Sequence, residues 1–268
     1  MKSNNLVVYK NEMNTVPLRN FNPNEMDLFF SICSKMKDKG LRKVKFTFRE
    51  LKELSDYKYN AYERFTEDIE STFEKLQDLK FRIENENKII GFVLFPEYEI
   101  DRDEHTVEIK TSERFEYILN NIINNFTKFE LEEFTELRSS YSKTAYRLLK
   151  QFRRSGYFII QIDEFRRLFD VPESYKISHI TTNILDKIED ELPKFFKNLK
   201  INKIKGKGKR KRYIENIEFK FEPETDLKNH SKKFRDSDGN YYERRLEDFT
   251  SEEIKKTFPE TRPLSEQK

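Results

Sequence analysis

Between Lys203 and Arg212, seven of ten side chains are cationic and none is acidic. Like charges at that density repel one another unless water and salt screen them or a polyanion neutralises them. The run therefore cannot enter a core. Gly206 and Gly208 give it close turns and close approach. Leu199 to Ile201 precedes it, and the alternating Ile217, Phe219 and Phe221 follow it, so it reads as the turn of a β-hairpin.

The residues upstream complete a pattern. Ser142 is a suitable cap for a helix with the stripe Ala145, Leu148, Leu149 and Phe152, stopped by Gly156. Tyr157 to Ile160 reads as a short buried strand. Asp163 is a suitable N-cap for a second helix carrying Phe165, Leu168 and Phe169, and Pro172 limits its extent. A third helix begins near Ser178, with Ile180, Ile184, Ile188 and Leu192 on one face and Leu185 beside them. Helix, strand, helix, helix, hairpin is the order of a winged helix.

The start of the third helix bears Ser178, His179, Thr181, Thr182 and Asn183, short polar side chains able to reach base edges. A charge run alone is ordinarily a solvated loop. This one sits at a hairpin turn just after a polar-faced helix, which points to double-stranded DNA. The expected phosphate contacts are Lys203, Lys205, Lys207, Lys209, Arg210, Lys211 and Arg212, helped by Ser142, Lys143 and Arg147 on the first helix and by Lys176. The expected base contacts are Ser178, His179, Thr181, Thr182 and Asn183.

Charge distribution supports this division of labour. The chain of 268 residues carries only +3 overall. From Arg138 to Glu222 there are 21 basic and 11 acidic residues, whereas Met1 to Leu137 holds 21 basic and 27 acidic. The basic footprint belongs to one half. Cys33 is the single cysteine, so an internal disulfide is excluded and a reducing cytoplasm is expected. The longest apolar run, Ile89 to Phe95, is too short to span a bilayer, so no membrane association is expected.

The first half repeats the order of the second. Leu6 to Tyr9 reads as a strand, Asn22-Pro23 as a helix start, Val44 to Phe48 as a strand, and Thr47 to Glu50 as the cap of a short helix with Leu51 and Leu54. A longer helix spans about Ala61 to Leu79, and strands follow between Arg82 and Ile109. Shifted by 114 residues, Phe46, Phe48, Leu51 and Leu54 fall on Ile160, Ile162, Phe165 and Leu168; shifted by 115, Phe65, Ile69 and Phe73 fall on Ile180, Ile184 and Ile188. We therefore expect an α+β chain of two tandem, pseudo-duplicated winged helices. One occupies 1–128 and the other 129–222, with a polar, partly disordered tail over 223–268. A turn at Asp236 to Asn240 and a short helix at Ser251 to Phe258 are expected in that tail. Between the domains, Ser112 to Leu119 and Phe129 to Leu137 read as helical.

The copies differ in charge. Glu63, Glu67, Asp68, Glu70 and Glu74 lie on the third helix of the first copy, and Asp101, Asp103 and Glu104 lie in its hairpin turn. Phosphate would be repelled there, so protein contact, most simply dimerisation, is the expectation. Lys35, Lys37, Lys39, Arg42, Lys43 and Lys45 form a second basic group for auxiliary DNA contact.

With these elements assigned, the sequence resembles the initiator proteins of theta-replicating, iteron-bearing bacterial plasmids. The resemblance covers about Asn5 to Phe221. It rests on LVVYKNEMNTVPL, on SSYSKTAYRLLKQF with Tyr146, Leu148 and Leu149, and on NLKINKIKGKGKRKRYIENIEFKF. It implies binding to direct repeats at an origin, help in opening an adjacent segment, and recruitment of host helicase or initiator proteins. It also implies a homodimer in equilibrium with monomer.

An enzyme is not expected. His105, His179 and His230 are far apart, the glycines of GKGKRKR lack phosphate-loop spacing, and acid pairs such as Glu132-Glu133 read as solvated faces. No catalytic residue, metal or cofactor is assigned. A dimeric winged-helix transcriptional regulator is the alternative.

Overall fold

The computed structural model describes residues 5–37, 39, 42–59, 61–79, 81–85, 87–119, 125–206, 213–224, 231–235 and 241–245. Its first half comprises β1 (Leu6–Lys10), a 3-10 turn (Asn11–Thr15), α1 (Pro23–Met36), β2 (Val44–Thr47), α2 (Phe48–Leu54) and α3 (Tyr62–Asp78). Four strands follow: β3 (Phe81–Asn85), β4 (Lys88–Phe92), β5 (Glu97–Asp101) and β6 (Thr106–Lys110). Then come α4 (Glu113–Leu119), β7 (Phe126–Glu130) and α5 (Leu131–Thr135). The second half is α6 (Ser140–Gln151), β8 (Tyr157–Gln161), α7 (Ile162–Leu168), α8 (Ile177–Ile180), a π turn (Thr181–Leu185), α9 (Asp186–Glu191), β9 (Lys200–Lys205) and β10 (Ile214–Lys220). A last ribbon pairs β11 (Ser231–Arg235) with β12 (Tyr241–Arg245).

The duplication is visible in the backbone. Shifted by 114 residues, α2 coincides with α7 from end to end. Each is followed by an aspartate in the left-handed region, Asp56 (φ 51°) and Asp170 (φ 49°). Asp and Asn tolerate that conformation better than other non-glycine residues. Each copy closes a three-stranded sheet in the same way: β2-β6-β5 and β8-β10-β9, with the hairpin paired to the strand that precedes the short helix. The ribbon β3–β4 is an addition to the first copy. These are two winged helices in tandem.

Caps explain most element starts. Asn22 Oδ1 accepts from the Glu25 N–H at 3.0 Å while Asn22 N–H donates to Glu25 Oε2 at 2.8 Å, a complete capping box with Pro23 in the first turn. The buried Glu25 also accepts from Ser71 Oγ and Lys75 Nζ, which ties α1 to α3. Thr47 caps α2. Two expected caps are displaced. Ser139, not Ser142, caps α6 through the Tyr141 N–H, and α7 begins after Gln161, which places Asp163 in its first turn. Phe126–Glu130, expected in part as helix, pairs as β7 with β1, because Thr127 and Phe129 alternate inward like strand residues.

A continuous aromatic core links the copies. Phe30 of α1 meets Phe134 at 4.8 Å, Phe134 stacks on Phe129 at 5.3 Å, Phe129 meets Tyr146 of α6 at 5.4 Å, and Tyr146 meets Phe196 at 5.7 Å. Between α1 and α6 lies a buried polar seam. Lys143 Nζ donates to Asp27 Oδ1 at 2.6 Å and to the Phe134 carbonyl at 2.8 Å. Arg147, fully buried, donates to the Met13 carbonyl at 3.0 Å and the Val16 carbonyl at 2.9 Å. Asn14 donates to Thr127 Oγ1 and Gln151 Oε1 and accepts from the Tyr9 hydroxyl.

Gly156 makes the turn from α6 into β8. Its φ is +62°, its carbonyl accepts from the Phe221 N–H at 2.9 Å, and an added Cβ would lie 2.3 Å from the Phe221 carbonyl oxygen. Both backbone strain and steric overlap oppose a side chain. Gly156→Ala is expected to lower stability by more than about 1 kcal/mol, read as a reduced urea midpoint with an unchanged slope.

Candidate nucleic-acid interface

In the second winged helix, α7 and α8 form the helix-turn-helix. The turn is fixed by Arg166, whose guanidinium donates to the Tyr175 carbonyl at 2.7 Å, and by the Val171 N–H bonding the Arg166 carbonyl. The Tyr175 ring packs edge-on against His179 at 5.6 Å. The third helix begins at Ile177, one residue before the expected start. The Lys176 N–H bonds His179 Nδ1 at 3.3 Å across its first turn.

Ile180, Ile184, Leu185 and Ile188 are buried, as their spacing requires. That leaves Lys176, Ser178, His179 and Thr182 exposed, with Thr181 and Asn183 half-buried beside them. The helix is not uniform. Thr181–Leu185 forms a single π turn, a widening that recurs at functional sites. Thr181 Oγ1 donates to the Ile177 carbonyl at 3.0 Å and Thr182 Oγ1 to the Ser178 carbonyl at 3.2 Å. Hydroxyl bonds to the carbonyl four residues back loosen a helix.

The wing joins this helix directly. Lys203 Nζ donates to Thr181 Oγ1 at 3.0 Å. Lys203 and Lys205 are exposed on β9, and Gly206 N–H closes the ladder on the Tyr213 carbonyl at 3.0 Å. Lys207, Lys209, Arg210, Lys211 and Arg212 lie outside the described residues. Tyr213, at the far root of the wing, is 71% exposed. It was not among the expected site residues, although an aromatic directly after a basic run was a readable sign.

Three expected phosphate contacts are corrected. Ser142, Lys143 and Arg147 are fully buried. Ser142 Oγ bonds the Lys187 carbonyl at 3.3 Å, Lys143 pairs with Asp27, and Arg147 clasps the carbonyls of Met13 and Val16. Their periodicity put them beside the apolar stripe of α6; α9 of the same copy covers Ser142, and first-half residues cover Lys143 and Arg147. Burial pushes Asp27 up to about 7 and Lys143 below its usual value, while their pairing opposes both shifts.

The first copy presents the opposite charge. Glu63, Glu67 and Glu74 are exposed along α3, and Arg102 at the β5–β6 turn is bonded to Glu70 (Nε to Oε1, 3.1 Å). In the second basic group, Lys43 is engaged by Glu97 at 2.8 Å and Glu108 at 3.1 Å. Among the described residues, no group of three or more His, Cys, Asp or Glu could hold a metal ion, and no helix is long and apolar enough to cross a membrane.

Two family models match the chain. The first, described as initiator replication protein, WH1, covers residues 6–150; the second, initiator Rep protein, WH2, covers 161–221. The chain belongs to the Rep initiator family. Our sequence-based division after residue 128 falls inside the first matched span. A relative described as a probable replication protein rep, from Bifidobacterium longum (strain NCC 2705), is 36% identical over 192 residues. The match covers 70% of this chain and 65% of that relative, so the chain spans less than two thirds of its length. The crystal structure of the Pi initiator protein in complex with iteron DNA shares the fold. Its TM-score is 0.64 at 16% identity, over 84% of this chain and all of that one.

Within the fold, Lys143 is thus a structural cation and not a phosphate ligand. Lys143→Met would leave Asp27 buried without its partner and is expected to cost about 3–5 kcal/mol of stability. Replacing both, Asp27→Leu with Lys143→Met, is expected to restore most of that loss in a urea melt. Neither change should alter the salt dependence of DNA binding by protein that remains folded.

Proposed function

We propose that this Rep protein initiates plasmid replication by binding direct repeats, or iterons, in duplex DNA through its second winged helix. Ser178, His179, Thr181, Thr182 and Asn183 enter the major groove, as the second helix of a helix-turn-helix does. Lys176, Lys203, Lys205, Lys207, Lys209, Arg210, Lys211 and Arg212 neutralise flanking phosphates. The observation that carries the reading is the bond from Lys203 to Thr181, which holds a cationic wing against the polar start of the helix. Bound repeats would let the protein help open an adjacent segment and recruit host helicase or initiator proteins.

The first winged helix serves protein contact in this reading, with monomer and homodimer in equilibrium. The exposed acids of α3 support that role, because a phosphate backbone beside them would be repelled. Such a protein would work in the bacterial cytoplasm, and its DNA transaction needs binding energy and no catalytic group.

The deciding experiment is selection of retained sequences from a random duplex pool. A motif that recurs as tandem direct repeats beside the protein's own gene supports the initiator. A motif confined to inverted repeats at promoters would overturn it in favour of a transcriptional regulator. Asn183→Ala is expected to weaken the selected site by about 1–3 kcal/mol while leaving random DNA unaffected. Lys205→Ala should instead weaken all duplexes and reduce the slope of log K against log salt by about 0.9.

A further inference from the structure

Most side chains that the third helix offers to a base edge have no fixed hydrogen-bond sense. Ser178 and Thr182 carry hydroxyls, which both donate and accept, and the Asn183 amide does the same from its two ends. His179 differs. An imidazole that accepts at one ring nitrogen carries its N–H at the other. Nδ1 of His179 accepts from the Lys176 N–H at 3.3 Å. The proton therefore sits on Nε2, and that nitrogen is a donor only.

Two contacts keep the ring in this orientation. His179 is the third residue of its helix, the place from which a glutamate or glutamine closes a capping box, and it satisfies an N–H that the helix start would otherwise leave without a partner. Tyr175 packs edge-on against it at 5.6 Å, and the Tyr175 carbonyl is held by the Arg166 guanidinium at 2.7 Å. The residue is exposed, and Nε2 has no partner among the described residues. Base edges in the major groove divide by the same criterion. Guanine offers two acceptors, N7 and O6, and no donor. Cytosine offers an amino donor, adenine sets an amino donor beside N7, and thymine sets a methyl group beside O4. A side chain that only donates fits guanine best.

We propose that His179 is a specificity-determining residue whose Nε2–H reads a guanine in each duplex repeat. This rests on the third helix being the element that enters the groove, and adds the base that it selects. The bond that starts the helix also fixes the sense of the hydrogen bond on offer to DNA. Arg166 and Tyr175 act through His179 as positioning residues.

The test selects retained sequences from a random duplex pool with the full chain and two variants. His179→Gln and His179→Glu both keep an acceptor that can close the capping bond, and only the glutamine keeps a donor. The wild-type pool is expected to show a guanine at one position of each repeat that depends on residue 179. His179→Gln should retain it. His179→Glu should lose it in favour of cytosine, whose amino group a carboxylate accepts from. Base preference is the readout in place of affinity, because the added negative charge weakens every duplex. In the selected site, 7-deazaguanine at that position removes N7. It should weaken the wild type by about fivefold, the worth of one hydrogen bond, and leave His179→Glu unchanged. Retention of every wild-type preference by His179→Glu would overturn the proposal. Equal loss in both variants would also overturn it, because the residue would then only support the helix. A wild-type pool without any motif would overturn the duplex reading as well, so the two failures are told apart.

Discussion

The ion pair between Asp27 and Lys143 holds the architecture to one arrangement. Both charges are withdrawn from water, and their 2.6 Å contact is supplemented by the Phe134 carbonyl. Two such groups are costly to bury and are tolerated only when each faces the other. The pair also has a symmetry. Shifted by 116 residues, buried Phe29, Phe30, Ile32, Cys33 and Met36 of α1 fall on Ala145, Tyr146, Leu148, Leu149 and Phe152 at α6, and Asp27 falls on Lys143. A position that meets its own counterpart lies near a local twofold between the copies. Two like charges there would repel, so where both copies carry a charged residue at this place the signs must be opposite, as they are here.

Arg147 extends the constraint to the segment before α1. Its guanidinium binds the Met13 and Val16 carbonyls and the Asn14 side-chain oxygen, and Arg167 adds a bond to the Thr15 carbonyl at 2.8 Å. Asp170 accepts from the Asn20 N–H at 3.1 Å. Residues 13–20 are thereby attached to the second winged helix although they lie in the first half of the chain. The β1–β7 pairing anchors the same segment from its other end. Orienting one copy thus orients the other.

Much of the fold was legible because core spacing is local. The 114-residue shift relating Phe46, Leu51 and Leu54 to Ile160, Phe165 and Leu168 needed only apolar periodicity, and the backbone reproduces it down to paired left-handed aspartates. Contacts between elements were less legible. Lys143 and Arg147 read as cations on an otherwise ordinary amphipathic helix, and nothing in α6 itself shows that Asp27, Met13 and Val16 will cover them. Charge chemistry suggested phosphate; tertiary packing supplied a carboxylate and carbonyls. The β11–β12 ribbon was missed for a different reason. With no aliphatic residue it gives no core signal.

The candidate reading helix shows why its sequence tolerates a weakened middle. Thr181 and Thr182 direct hydroxyls to carbonyls one turn back, and the backbone widens into a π turn over the same residues. Ile180, Ile184 and Ile188 keep that segment seated, and the π turn itself includes the buried Ile184 and Leu185. Lys203 then bonds Thr181 from the neighbouring strand. A lysine held this way makes its phosphate-seeking charge part of the helix surface, while Ser178, His179 and Thr182 stay unobstructed. In the proposed reading the two tasks are separate. The wing can supply affinity that depends on salt and not on sequence, and the helix can supply discrimination that depends on base edges.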